Sequence, residues 1–330
     1  MRSRKSLWVL VFILAVLCLV FFWQNHSTDD SEDTLSIPAL SNLEPTSFSY
    51  ENSSGSFHFA KSDDTWTAEE SKGCEVKQST VSEFLDTLKQ LPVSRELTQP
   101  DDLADYGLDA PEAKMTLTQG STTQTLSFSE KQDTVYLSLS DENTVYVLSE
   151  MPSQLDNTML DWLDTPVMPY VKTENITALS AKGYTLERLT EAKTNSSSSS
   201  SDSDSEEETA ATWRITTPSG TSQTVEESDA LSDLLTSLSN LYFADCVDFG
   251  VTGSDQLAAY GLSQPAGTFT LSYTDADTKE NGSYTLSLGS TAADGSTYVK
   301  LADSSYISLL SSDLTETLES NLDAFLDSLS

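Results

Sequence analysis

The sequence predicts an α+β protein of two tandem repeats, each an antiparallel β-sheet meander packed with amphipathic helices, behind one N-terminal transmembrane helix. Three observations predict it. Asp102-Leu103-Ala104-Asp105-Tyr106-Gly107-Leu108 with Pro111 returns as Gln256-Leu257-Ala258-Ala259-Tyr260-Gly261-Leu262 with Pro265, every position displaced by the same 154 residues. The apolar spacing of Val81, Phe84, Leu85, Leu88 and Leu91 repeats as Leu231, Leu234, Leu235, Leu238 and Leu241, which puts one apolar face on each of two helices. Short period-two segments, joined by turns rich in Gly, Ser, Asn and Asp, follow each block and are too closely spaced for crossover helices.

In chain order, the basic tip Met1-Arg2-Ser3-Arg4-Lys5 (1–5) precedes a run from Leu7 to Trp23 without a polar residue. Those 17 residues sit at the lower limit for crossing a hydrocarbon core of about 30 Å. Residues 6–24 are therefore expected to span the cell membrane once. The basic tip stays in the cytoplasm, and the bulk of the chain, which opens with the acidic cluster Asp29, Asp30, Glu32 and Asp33, lies outside. A cleaved signal peptide is disfavoured, because the run ends in Phe21-Phe22-Trp23 rather than in small residues. A polar stalk is expected over 25–44.

The first module is placed at 45–165 and the second at 171–330, with Thr165-Pro166-Val167-Met168-Pro169 between them. Each opens with two alternating segments, Thr46–Tyr50 and Ser56–Phe59 in one, Ile176–Leu179 and Tyr184–Leu186 in the other. A strand centred on Trp66 or Trp213 follows, then the amphipathic helix, then the repeated block. Four meander strands come next, around Met115, Leu126, Tyr136 and Val145, and around Phe269, Leu286, Tyr298 and Ile307. A closing helix is expected at Leu155, Met159, Trp162 and Leu163, matched by Leu318, Leu322, Phe325 and Leu326. The Ser/Asp/Glu-rich stretch 195–209 can bury nothing apolar and reads as a disordered insert in the second module.

Charge and motifs exclude several function classes. Acidic residues number 52 against 17 basic, for a net charge of −35, so the exterior repels nucleic acid. The exterior offers His26 and His58 as its histidines and Cys74 and Cys246 as its cysteines. No Gly-x-Ser-x-Gly elbow, Cys-x-x-Cys, His-Glu-x-x-His or phosphate loop is present. The reading is accordingly of no enzyme, no cofactor and no metal site, with His58 as a strand residue facing water or a neighbouring sheet. Asp275–Gly282 begins like a calcium loop, but Glu280 stands where the turn glycine belongs and Leu286 where the bidentate Glu should be. Cys74 and Cys246 leave two readings open, a bridge and a coincidental even count.

The repeated block reads as structural. Gly107 and Gly261 suit a turn with positive φ, and Pro111 and Pro265 stiffen the entry to the meander. Tyr106 and Tyr260 are expected to bury a ring and tie the hydroxyl to backbone. The series Trp66, Leu103, Tyr106, Gly107, Leu108, Pro111 and its partners Trp213, Leu257, Tyr260, Gly261, Leu262, Pro265 resembles the domain-of-unknown-function family 4340, in two degenerate copies. The family's glycine after the Leu-rich strand is present as Gly289, whereas the first copy has Ser129, which implies a different turn there. The resemblance implies a bacterial envelope protein, often encoded beside gliding-motility-type ABC transporter components, and brings no catalytic residue with it. The leading expectation is a non-enzymatic accessory subunit that binds protein partners such as a transporter permease. An envelope module for wall polymer or peptide is second and a hydrolase third.

Overall fold

The computed structural model describes residues 35–190 and 210–329. The expected membrane helix over 6–24, the first half of the stalk (25–34) and the insert 195–209 lie outside the described residues. Among those that are described, no helix is long and apolar enough to cross a membrane. The described chain is built mostly of antiparallel sheet, with few helices, and folds as two compact units.

The first unit comprises residues 35–70 and Lys77–Thr158. It starts with a one-turn helix α1 (Pro38–Ser41), followed by β1 (Ser47–Asn52), β2 (Gly55–Ser62), β3 (Thr65–Ala68) and α2 (Gln78–Lys89). Then come β4 (Val93–Thr98), β5 (Ala113–Gln119), β6 (Thr122–Lys131), β7 (Thr134–Leu139) and β8 (Thr144–Leu148). They form one eight-stranded sheet in the order β3-β2-β1-β5-β6-β7-β8-β4, with every neighbour antiparallel. Period-two patterning puts Phe48, Tyr50, Phe57, Phe59, Met115, Leu117, Leu126 and Phe128 on one buried face. The apolar stripe Val81, Phe84, Leu85 and Leu88 of α2 is buried with them, and Phe48 meets Phe59, Trp66 and Phe84 at ring separations of 4.4, 5.3 and 5.9 Å.

Two expectations for this unit are corrected. The end of the stalk is not a free tether: Ile37, Leu40 and Leu43 are buried, α1 lies against α2, and Leu35 bridges to Val93. The closing helix of the first copy is absent. Ser153–Asp156 and Met159–Trp162 are separate 3-10 turns. Pro152 sets the entry to the first and Asn157 leaves it in an extended conformation (φ −57°, ψ 141°), so helix cannot propagate through.

The second unit comprises Ser71–Val76 and the chain from Met159 onward. Its strands are β9 (Ile176–Ala181), β10 (Tyr184–Thr190), β11 (Thr212–Thr216), β12 (Ser222–Glu226), β13 (Asp245–Asp248), β14 (Gly267–Thr274), β15 (Asn281–Thr291), β16 (Thr297–Leu301) and β17 (Ile307–Leu310). Helices α3 (Asp229–Ser239), α4 (Ser254–Ala258) and α5 (Ser312–Asp327) complete it. The nine-stranded order, β12-β11-β10-β9-β14-β15-β16-β17-β13, repeats the first sheet with one strand added at the β11 edge. Here the closing helix does form. Ser311 caps it, its hydroxyl accepting the Leu314 N–H, and its Leu318, Leu322 and Phe325 pack with Leu231, Leu234, Leu235 and Leu238 of α3.

Candidate functional site

In both units the longer helices cover one sheet face, and the residues that alternate with the core point the other way. In the second unit the repeated block covers part of that other face, where Val251, Leu262 and Ile307 are buried with Leu257, Tyr260 and Tyr298 against them. On the first sheet that outer face is lined by hydroxyls. Register places His58, Ser49, Thr116 and Thr125 in one cross-strand row and Thr67, Ala60, Ser47, Thr118 and Thr123 in the next. Ser47, Ser49, His58, Ala60, Thr67, Glu69, Thr116 and Thr118 line an open groove of about 390 Å³.

At one end of this groove the structure gathers three ligand-type side chains. The β2–β3 hairpin turns at Asp63 and Asp64, both at positive φ (48° and 65°), and pairs Phe59 with Ala68. The 3-10 turn Glu69–Ser71 therefore emerges beside His58. His58 Nδ1 lies 2.6 Å from Glu70 Oε1, and the His58 backbone N–H donates to Glu70 Oε2 at 2.9 Å. Ligand atoms of His58, Glu69 and Glu70 all fall within 4.8 Å of one another. The bond to Glu70 raises the imidazole above its ordinary pKa, against a smaller opposing effect of burial. Burial works to raise the Glu70 carboxyl, but the imidazole and the His58 N–H outweigh it and its net shift is downward. His58 stays 55 % exposed. Sequence reasoning places His58 on a strand and names neither glutamate. A two-residue turn at Asp63-Asp64 is the available signal, since counting back from it sets Glu69 opposite His58.

The second unit offers an internal comparison. Trp213 pairs with Arg188 as Trp66 pairs with Lys61, so the positions equivalent to His58, Glu69 and Glu70 carry Thr185, Thr216 and Thr217. The outer face there is also hydroxyl-rich, with Thr270 and Thr285 bonded across strands at 2.9 Å and Ser180 and Thr185 at 3.4 Å. The frame is shared and the His/Glu/Glu set is not.

The repeated blocks lie away from the groove. Gly107 and Gly261 both have positive φ (75° and 69°), and Leu108 and Leu262 close equivalent turns onto the Leu103 and Leu257 carbonyls at 3.1 and 2.9 Å. Leu108 and Leu262 are buried, while Leu103 is 42 % exposed. Pro111 and Pro265 precede β5 and β14. Trp66 and Trp213 are buried in their cores, and Trp213 Nε1 donates to Glu227 at 2.9 Å beneath the Arg188 guanidinium. The tyrosines depart from expectation. Both rings are half-buried, edge-on to Tyr136 and Tyr298 at 5.2 and 5.1 Å. The Tyr260 hydroxyl donates to the Asp248 carboxylate at 2.7 Å rather than to backbone. That bond, with burial, pushes its pKa up to about 12.

The Tyr-Gly-Leu turns are alike in the two copies, and Ser129 and Gly289 mark a difference in how those turns are docked. A Cβ on Gly289 would overlap the Tyr260 carbonyl oxygen, which accepts the Ser290 N–H at 2.8 Å. In the first unit Lys131 Nζ reaches the Ala104 and Asp105 carbonyls at 3.0 and 2.8 Å, so a side chain does the docking and room remains for Ser129.

Other candidate chemistry is absorbed structurally. Asp275 Oδ1 accepts the Asp277 and Thr278 N–H groups and the Thr278 hydroxyl, so it caps its own loop. Cys74 and Cys246 are free thiols. Cys74 meets the Ser305 hydroxyl at 3.3 Å, and burial pushes the Cys246 thiol up to about 11, the opposite of an activated nucleophile. Lys72 anchors Ser71–Val76 within the second unit through the Phe249 carbonyl at 3.2 Å, the Asp248 carboxylate at 3.8 Å and the Phe249 ring at 4.5 Å.

No curated protein and no solved structure matches the chain. The family model described as Domain of unknown function (DUF4340) matches residues 66–255 and 213–328, one match opening at each of the paired tryptophans. With two such matches spanning most of its described length, the chain belongs to the DUF4340 family.

Proposed function

We propose that this chain is a non-enzymatic, membrane-anchored extracytoplasmic protein whose open sheet faces dock another protein, as an accessory subunit of an ABC-type transport complex. The observation that supports docking most directly is the part of each sheet's outer face that lies away from the Tyr-Gly-Leu block, which carries cross-strand Ser and Thr rows. Hydroxyls of this kind are short and cost little side-chain entropy to order against a partner. The N-terminal run over 6–24 supplies the anchor. The transporter assignment rests on the family resemblance alone.

A wall polymer or peptide in the groove is the second reading, favoured by its hydroxyl lining. It ranks lower because the aromatic residues among the groove lining, Phe48 and Phe59, turn their rings into the core and give a sugar or peptide nothing to stack on. A hydrolase is third, since His58 pairs with a carboxylate and not with a hydroxyl or thiol. Proximity labelling on intact membranes, with the labelling enzyme fused at the C-terminus, tests the proposal. Recovery of permease or associated subunits is expected. Labelling of cytoplasmic proteins, or recovery of wall fragments alone, refutes it.

A further inference from the structure

We propose that His58, Glu69 and Glu70 form a binding site for a divalent transition-metal ion of the zinc type, carried by the first repeat alone. The inference is independent of the docking function. One imidazole nitrogen and two carboxylates are a donor set that zinc accepts at about 2.0–2.2 Å, with a fourth position left to water or to a group from a partner. Their ligand atoms already lie within 4.8 Å of one another. Tetrahedral ligands at those bond lengths stand roughly 3.4 Å apart, so side-chain rotation of exposed Glu69 closes the set without backbone movement.

Three features separate this cluster from ordinary surface carboxylates. Glu70 is held before any ion arrives, since the His58 N–H fixes one of its oxygens. The position a metal would take between Nδ1 and Oε1 is now held by a shared proton, and metal binding replaces that proton. If the ion instead takes Nε2, Glu70 remains on Nδ1–H as the carboxylate that orients a ligating histidine. The third feature is the second repeat. Thr185, Thr216 and Thr217 occupy the same frame there, so the fold does not require the His/Glu/Glu set. His58 and Glu69 line the hydroxyl-rich groove, and the net charge of −35 concentrates cations at the surface.

The test is titration of the detergent-extracted full chain with Zn²⁺, and separately with Co²⁺ followed by its visible absorption, in excess Mg²⁺ to occupy diffuse acidic sites. The expected result is one tight equivalent. His58→Gln and Glu70→Gln should each weaken it at least tenfold with unchanged far-UV dichroism, while His26→Gln leaves it intact. Glu69→Gln provides a second variant should either of the first two disturb folding. A wild-type isotherm that matches His58→Gln, or a Zn²⁺ response abolished by the Mg²⁺, overturns the proposal.

Discussion

Gly289 isolates one physical term, crowding. Its φ lies outside the left-handed region, so a substitution there carries no φ strain and any loss comes from lack of space. A Cβ would overlap the Tyr260 carbonyl oxygen, with Leu262 Cγ at 3.0 Å and the Tyr298 carbonyl at 3.1 Å. Two of these three atoms are backbone and cannot rotate away. To make room, β15 must move off the Tyr260 turn, which lengthens or breaks the Ser290 N–H bond to the Tyr260 carbonyl. Losing that bond costs about 0.5–1.5 kcal/mol, and overpacking of a filled site costs about 1–3 kcal/mol. Gly289→Ser, which copies the first repeat's Ser129, should therefore destabilise the second unit by roughly 2–4 kcal/mol. For a unit of this size that lowers its melting transition by roughly 4–15 °C. Calorimetry or urea denaturation of the full chain reads it, with Gly220→Ala as the opposite control. Gly220 has positive φ (84°), and a Cβ there would meet nothing within 4 Å, so its cost is conformational strain alone. A Gly289→Ser transition within about 0.5 kcal/mol of the parent, the range of a neutral surface change, would show that the turn slides freely and that the crowding argument is wrong.

Two further predictions rest on pairs already described. The His58–Glu70 contact should stabilise the first unit by no more than about 1 kcal/mol, because it is largely exposed. Since the folded His58 pKa is raised, its contribution is full below the unfolded value near 6.5 and fades as pH climbs through the folded value; the lowered Glu70 pKa brings loss only as pH falls below the ordinary carboxyl range near 4.3. The urea-midpoint difference between parent and His58→Gln should thus peak near pH 5–6 and vanish in mild alkali, and a difference that grows with pH contradicts the assignment. Lys72→Ala should lower the second unit's transition by about 1 kcal/mol, an estimate discounted for its half-exposed side chain. It should leave the first unit's transition in place, although Lys72 lies among the first repeat's residues; movement of the first transition alone would refute the clasp.

The repeat architecture is legible in the sequence because its signals are local and doubled. Period two in β1, β2, β5 and β6, the apolar stripes of α2 and α3, and the shared Tyr-Gly-Leu turn each satisfy a backbone requirement that recurs in the second copy, 150 residues on for the helix stripe and 154 for the turn. The strands that the pattern does not reveal, β4, β12 and β13, are edge or near-edge strands. Charged and polar residues such as Arg95, Glu96, Asp245 and Asp248 blunt such edges and erase the alternation. The first copy's closing helix fails for a different reason. Leu155, Met159 and Trp162 are buried as an apolar stripe should be, yet local backbone at Pro152 and Asn157 delivers them from two turns instead of one helix. Burial is readable and the element that achieves it is not. The His58 cluster needs hairpin register as well as composition, which is a tertiary fact.

The differences between the copies separate what the fold demands from what a ligand or partner could demand. Each copy must cover the apolar stripe of its helix, and each does so with what the chain supplies: α1 with Leu40 in the first unit, α5 with Leu318, Leu322 and Phe325 in the second. Each must dock its Tyr-Gly-Leu turn, through Lys131 in one and the Ser290 N–H in the other. These substitutions compensate one another and leave the sheets superimposable in strand order. No such compensation links His58, Glu69 and Glu70 to Thr185, Thr216 and Thr217. The three threonines keep β-sheet propensity and hydroxyl character on an outer face, and nothing described in the second unit makes up for the missing charge and imidazole. A duplicated fold tolerates a one-sided change of that kind only where packing does not depend on it. The outer face of β2 and β3 is therefore the place where selection could act on the first repeat without disturbing either core.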